Sequence, residues 1–181
     1  MLDNQLIKIF LPILQQGFLD RGLIVKVQQA YQPVQTGTPI APLCTFFKVI
    51  DHRYGHPYKI SYYDSDLMHM RHKERQVYES TWQIGALSIQ DPTNEDSITA
   101  MDIINTAAEI LQSDATINDL KTSDVGILRI SEIRNVFHQD DMRQYESEPS
   151  FDVILRHAQE RIIDIEGITA IEGEVINVSK I

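Results

Sequence analysis

Cysteine is nearly absent: Cys44 stands alone in 181 residues, which excludes an internal disulfide and a CxxC metal site. It lies in the apolar run Leu43-Cys44-Thr45-Phe46-Phe47, where a thiolate is disfavoured and the side chain reads as a small hydrophobe. Long apolar runs are missing too. No stretch approaches the ~20 residues that span a bilayer. The segment Met1 to Gly17 carries Asp3, Lys8 and Pro12 and lacks the basic start and small-residue cleavage site of a secretion signal. The expectation is a soluble protein, made inside the cell, without membrane attachment. Glycine is scattered over eight positions, and no Gly-rich loop precedes a helix to cradle a phosphate. Ser150 follows Pro149 with no GxSxG elbow around it, so nucleophilic catalysis has no obvious carrier.

Basic residues are scarce in one half only. Residues 1–90 hold nine Lys/Arg against seven Asp/Glu, a net +2, whereas residues 91–181 hold seven against nineteen, a net −12. Such an acidic half repels phosphates at short range and argues against conventional DNA or RNA binding, where basic clusters supply most of the affinity. Two uses of the acidity remain open. It can keep the surface soluble, or it can line a duct through which DNA passes without sticking.

Hydrophobic residues make up 43% of the chain and charged residues 23%, ordinary globular usage that suits one folded domain of this length. Leu2, Leu6, Ile9 and Ile13, widened by Phe10 and Leu14, recur at helical spacing after a capping Asp3, with Pro12 expected to kink or restart the helix and Gly17 and Gly22 at its exit. Leu23 to Gln29 reads as a strand, and Ala30 to Pro42, with three prolines and Gly37, as an irregular connection. Strands are expected at Leu43 to His52 and Tyr58 to Tyr63, with Arg53-Tyr54-Gly55-His56-Pro57 turning between them and an exposed loop or hairpin tip from Asp64 to Glu74. Val77 to Ala86 alternates, placing Tyr78, Trp82, Ile84 and Ala86 on a buried face.

Asp91-Pro92-Thr93-Asn94 offers turn and capping chemistry to a following helix, with Met101, Ile104, Ala108 and Leu111 on one side and Asp102, Asn105, Glu109 and Gln112 on the other. A short turn capped by Asp114 spans Ile117 to Lys121. Strands follow at Ile127 to Arg134 and at Phe151 to His157, where Phe151, Val153 and Leu155 share a face, and a last strand or hairpin runs from Arg161 to Ile181. The order gives an α+β fold: a mixed or antiparallel sheet with two main helices packed on one side. It forms one domain over 1–181, with a hairpin or loop excursion near 53–76 and a C-terminal strand extension near 161–181.

Histidines invite a metal hypothesis. His52 and His56 flank the expected turn, and His69 and His72 would share a helical turn if Leu67 to Glu74 were helical, with Asp64 and Asp66 nearby. No HExxH or similarly restrictive pattern supports it, and the carboxylate pairs Asp140/Asp141 and Glu146/Glu148 are what an acidic chain provides anyway. The sequence therefore names no catalytic residue, cofactor or metal.

One succession of features has a family character. An amphipathic N-terminal helix leads to Val25-Lys26-Val27, the Gln32-Pro33 connection, the hairpin, the strand ending near Gly85 and the Ala-rich helix Asp102 to Leu111. Arg134-Asn135 follows, then an acidic stretch with Arg143 and Glu146, then Pro149-Ser150-Phe151-Asp152 and His157. Over residues 1–160 this order resembles the neck or tail terminator proteins of contractile- and long-tailed bacteriophages. It departs from a minimal terminator in the long Arg53 to Gln76 region and in the strands after Arg161. The resemblance implies a virion protein, not an enzyme. Such a protein is assembled in the host cytoplasm into a homo-oligomeric, usually sixfold ring that caps the tail tube protein and offers its opposite face to a head-side connector. DNA would pass through the ring without specific binding. A head-to-tail connector or tail completion protein is the neighbouring alternative, and a metal-dependent hydrolase the distant one. Arg129, Arg134, Asp140, Asp141, Arg143, Glu146, Phe151 and Asp152 are the residues expected at the subunit boundary; the plainer expectation for each charge is pairing within the chain or solvation.

Overall fold

A computed structural model describes residues 1–30, 41–89, 93–139 and 145–165. The elements are α1 (Asp3–Asp20), β1 (Lys26–Gln29), β2 (Leu43–Asp64), β3 (His69–Leu87), α2 (Ala100–Gln112), α3 (Asp114–Thr122), β4 (Val125–Ile130), β5 (Arg134–Gln139) and β6 (Tyr145–Ile165). Six strands form one sheet in the order β1-β2-β3-β6-β4, with β5 also pairing β6. The β1–β2 pair is parallel and every other pair antiparallel, so the expected α+β fold with a mixed sheet stands.

Helix α1 runs unbroken through Pro12 and does not restart there. Pro12 is exposed, so the Lys8 carbonyl that loses its partner also lies on the wet side, where water replaces the missing bond. The buried stripe is Leu6, Phe10, Leu14 and Phe18, one turn further along than the sequence suggested, and Leu2 is exposed. Asp3 is the first helical residue rather than the cap; the Leu2 N–H donates to Gln5 Oε1 at 2.8 Å. Just past the C-cap Arg21, Gly22 takes a φ of 74° that lets Gly22 N–H reach Leu19 O and Leu23 N–H reach Phe18 O. That is the closing geometry glycine makes cheap. Gly17 has a different purpose. A Cβ there would lie 2.6 Å from Ile110 Cγ2, so α1 and α2 approach closely at that point.

Helix α2 starts later than expected. Thr99 Oγ1 accepts from Asp102 N–H and Asp102 Oδ2 accepts from Thr99 N–H, each at 3.1 Å, a reciprocal cap that leaves no role at the helix start for Asn94. Asp102, Asn105, Glu109 and Gln112 face water as expected. The buried arc is wider than the expected stripe and is made by Ala100, Ile103, Ile104, Ala107, Ile110 and Leu111, because α2 packs on α1 as well as on the sheet. Ser113, not Asp114, caps α3, its Oγ accepting from Thr116 N–H. The core lies between the sheet and the helices, where Phe46, Ile84, Phe151 and Val153 are fully buried.

The strands after the core depart most from expectation. Arg53 to Pro57 is not a turn: β2 continues to Asp64, and the chain reverses between Asp64 and His69. Asp64 Oδ1 accepts from the N–H groups of Asp66 and Leu67 there, and Met68 takes a φ of 56°. Gly55, at φ 66°, lies instead in a bulge between Tyr54 and Tyr58, where Gln76 Nε2 donates to the Tyr54 carbonyl at 3.0 Å. Residues 161–165 are no separate strand but the end of β6, which pairs with β3 from Ser150 through Ile165. Residues 31–40, 90–92, 140–144 and 166–181 lie outside the described residues, and with them most of the expected Ala30 to Pro42 connection and the C-terminal hairpin.

Candidate functional site

Beyond the rung that joins Tyr78 to His157, the sheet continues for eight further rungs to Met70 and Ile165, about 25–30 Å at strand spacing. β2 runs alongside as the third strand, and none of these residues is buried. This three-stranded arm leaves Tyr54, Tyr58, Tyr63 and Met68 at 58–79% exposure. Folding alone gains nothing from such placement, so the arm is the candidate functional surface.

Its two faces differ. On the face away from the helices, charges pair across strands: Arg156 with Glu79 at 2.6 Å, Lys73 with Glu160 at 2.8 Å, and Arg71 with both Asp64 and Asp164 at 2.9 Å. The hydrogen bond from Arg71 holds the Asp164 carboxyl below the usual range, and that from Lys73 does the same for Glu160. Arg156 also sits 5.1 Å over the Tyr54 ring. On the helix-side face, Lys59 pairs with Glu74 at 3.1 Å, and Ser61 meets His72 at 3.0 Å. Arg53 and Arg161 are both exposed on that face, opposite Tyr78 and Glu74. The sequence held a signal for this: Arg71, Lys73 and Arg75 alternate, which places all three on one strand face. Starting the strand only at Val77, with Asp64 to Glu74 as a loop or hairpin tip, hid it; the reversal itself takes only the residues between Asp64 and His69.

Where the arm meets the body, a polar chain crosses the sheet. Lys48 pairs with Asp3 at 2.6 Å and with Asp51. Ser80 donates to Asp51 Oδ1 at 2.5 Å, and His157 Nε2 lies 2.8 Å from Ser80 Oγ. Against the opposing effect of burial, the bonds from Lys48 and Ser80 hold the Asp51 carboxyl below its ordinary value. Although Asp, Ser and His meet here, the order is wrong for a nucleophilic triad. The hydroxyl gives its proton to the carboxylate, Ser80 is fully buried, and the carboxylate does not orient the imidazole. This is a brace.

His157 is itself buried and stacks on Tyr78 with ring centroids 5.7 Å apart. Burial, then the Met1 ammonium, push its pKa below 6.5; protonation would leave Nδ1–H without an acceptor among the described residues. The unfolded chain therefore binds more protons than the native one as pH falls through about 6.5, and the native state weakens below that pH. Melting temperatures of the wild type should decline from pH 7.5 to 5.5, and His157→Gln should flatten that segment. An unchanged slope in the variant would place the titration elsewhere.

The described residues among those expected at a subunit boundary have different surroundings. Arg129 is exposed on β4. Arg134 Nη2 pairs within the chain with Asp152 Oδ2 at 2.9 Å, and Asp152 N–H and C=O bond to Ser131, so this pair ties the β4–β5 link to β6. Phe151 is 0% exposed and is a core residue, because alternation along β6 turns it towards the helices. Glu146 lies in β6, and Asp140, Asp141 and Arg143 fall outside the described residues. The helical turn that would have brought His69 and His72 together does not form: both lie on an extended strand, and their odd spacing sends them to opposite faces. No cluster of three or more His, Cys, Asp or Glu suited to a metal occurs among the described residues. No described helix is long and apolar enough to cross a membrane.

No curated protein matches the chain. A family does match, described as E217 gateway protein gp29, over residues 5–166, a span that takes in both main helices, the whole arm and β6 to its end. A match of that extent shows membership: the chain belongs to the E217 gateway protein gp29 family, a family of bacteriophage neck proteins.

Proposed function

We propose that this protein is a structural ring of the phage neck that joins the head-side connector to the tail and leaves a channel for DNA. The observation that carries the proposal is the arm, together with membership of a neck family. A sheet that extends eight rungs past its own core, with apolar side chains in the open and, among the described residues, unpaired strand edges, is unstable as a lone surface and suited to contact with other chains. Arm and body are different surfaces of one chain, and head-to-tail contact between unlike surfaces generates a ring where the rotation closes.

Within the neck, the gateway description of the family favours the joint between head and tail over a strict cap on the tail tube. The net −12 of residues 91–181 suits a passage whose wall repels phosphates, so that DNA moves without being held. Native mass and electron images of the purified chain should give a closed ring, six subunits on the terminator resemblance, that retains duplex DNA weakly at physiological salt. A chain that stays monomeric even with its neck partners would end this reading. Capture of the portal side rather than the tube would separate connector from terminator.

A further inference from the structure

The helix-side face of the sheet is half covered. Helices α1 and α2 lie over its base, where Phe46, Trp82 and Val153 are buried; beyond the Tyr78–His157 rung none of the described residues of that face is buried. Counting Arg53 on the boundary rung itself, that half carries Arg53, Lys59 and Arg161 against one carboxylate, Glu74, a net +2. Arg53 and Arg161 have no acidic partner among the described residues. At its tip, Tyr63, Met70 and Ile165 lie side by side across the three strands. The opposite face offers no such charge, since Arg71 and Lys73 are paired within the arm, Arg75 with Asp124, and Arg156 with Glu79 at the arm's base.

The body presents the complement. Residues 93–124, which contain α2 and α3, hold seven carboxylates and a single cation, Lys121, a net −6. On α2 these acids lie on the outward face, where Asp102 and Glu109 are exposed with Asn105 and Gln112. Asp119 is exposed on α3.

We propose that in the assembled neck the helix-side face of the arm lies on the acidic α2–α3 surface of the adjacent copy, which supplies the helical layer the arm lacks. The proposal rests on the ring reading and adds to it the contact that closes the ring. Arm and helices are on the same chain, so every copy can give one arm and receive one, and where the contact runs head to tail its rotation closes the ring. Opposite charge fixes which surface the arm meets and speeds encounter more than it adds affinity. The apolar tip supplies area removed from water.

The test is sedimentation of the purified full chain over a range of concentrations. Reversing the arm, Arg53→Glu with Arg161→Glu, should weaken association about tenfold or more, with melting temperature held because both side chains are exposed and unpaired. Adding Glu109→Lys and Asp119→Lys to the reversed arm should restore assembly. Arg161→Cys with Glu109→Cys, oxidised, should give a ladder of linked multimers, to which buried Cys44 cannot contribute. Three results would overturn the proposal while the ring stands: assembly indifferent to arm reversal, assembly lost only on removing residues 166–181, or arm reversal that leaves rings intact and abolishes duplex DNA retention. A wild type that never associates, alone or with neck partners, would instead remove the ring reading itself.

Discussion

Phe46→Ala lowers stability by about 3–5 kcal/mol, the range for truncating a buried aromatic. Phe46 is 0% exposed, at the centre of the layer between helices and sheet. Its ring meets Phe10 of α1 edge-on with centroids 6.0 Å apart, and Trp82 of β3 at 6.1 Å. Truncation removes both aromatic contacts and leaves a hole bounded by three elements, α1, β2 and β3, whose backbones are fixed by ladders and helix bonds and cannot collapse into it. For a chain of this size each kcal/mol moves the melting temperature by about 2–4 °C, so a fall of roughly 6–20 °C is expected by calorimetry. Phe46→Leu keeps most of the volume and should fall much less. If the alanine variant melts like the wild type, the helices are not held to the sheet through this cluster.

Gly17→Val is the second large effect, expected at about 1–3 kcal/mol from overpacking alone. A Cβ at residue 17 would lie 2.6, 2.8 and 2.9 Å from three side-chain carbons of Ile110. Ile110 is 1% exposed and β-branched, so its χ1 is stiff and it has no free space to turn into. The helices must separate, which loosens Phe18 and Leu14 beside the contact. Glycine inside a helix costs up to about 1 kcal/mol relative to alanine, so only close approach accounts for its place in α1. A relieving change at the facing position, Ile110→Ala, should recover part of the loss in the double variant. Independent, additive losses from the two changes would mean that the helices do not meet there.

Several features were legible in the sequence because a local rule decides them. The polar face of α2, at Asp102, Asn105, Glu109 and Gln112, follows from helical period and is exposed as read. The alternation that buries Trp82, Ile84 and Ala86 on β3, and Phe151, Val153 and Leu155 on β6, follows from the two-residue period of a strand. The same alternation settled Phe151: once its face is the core face, it is not available to a neighbour. The lone Cys44 is buried as expected, its thiol pushed up to about 12 by burial.

The extended hairpin or loop near 53–76 was legible as such, but its build as three paired strands was not, and the reason is physical. Periodicity reports burial, and both faces of the arm are wet, so β2, β3 and β6 carry mixed charges there with no apolar alternation to follow. Gly55 and Pro57 then look like a turn, although the partner strand holds them in a bulge. His69 and His72 looked like neighbours on a helical turn until the strand separated them.

The sequence by itself determined the α+β class, the amphipathic faces of the helices, the inward faces of the core strands and the uneven charge of the two halves, because each depends on residues within a few positions of one another or on a count. Only the tertiary structure decided that β6 pairs with β3 along sixteen residues and so carries the sheet past its helices. It also decided that Arg134 closes on Asp152, that Ser80 lies between Asp51 and His157, and that Gly17 faces Ile110. These contacts join residues distant in the chain. No local pattern selects such partners; they are fixed by which strand edges and helix faces meet when the core is buried.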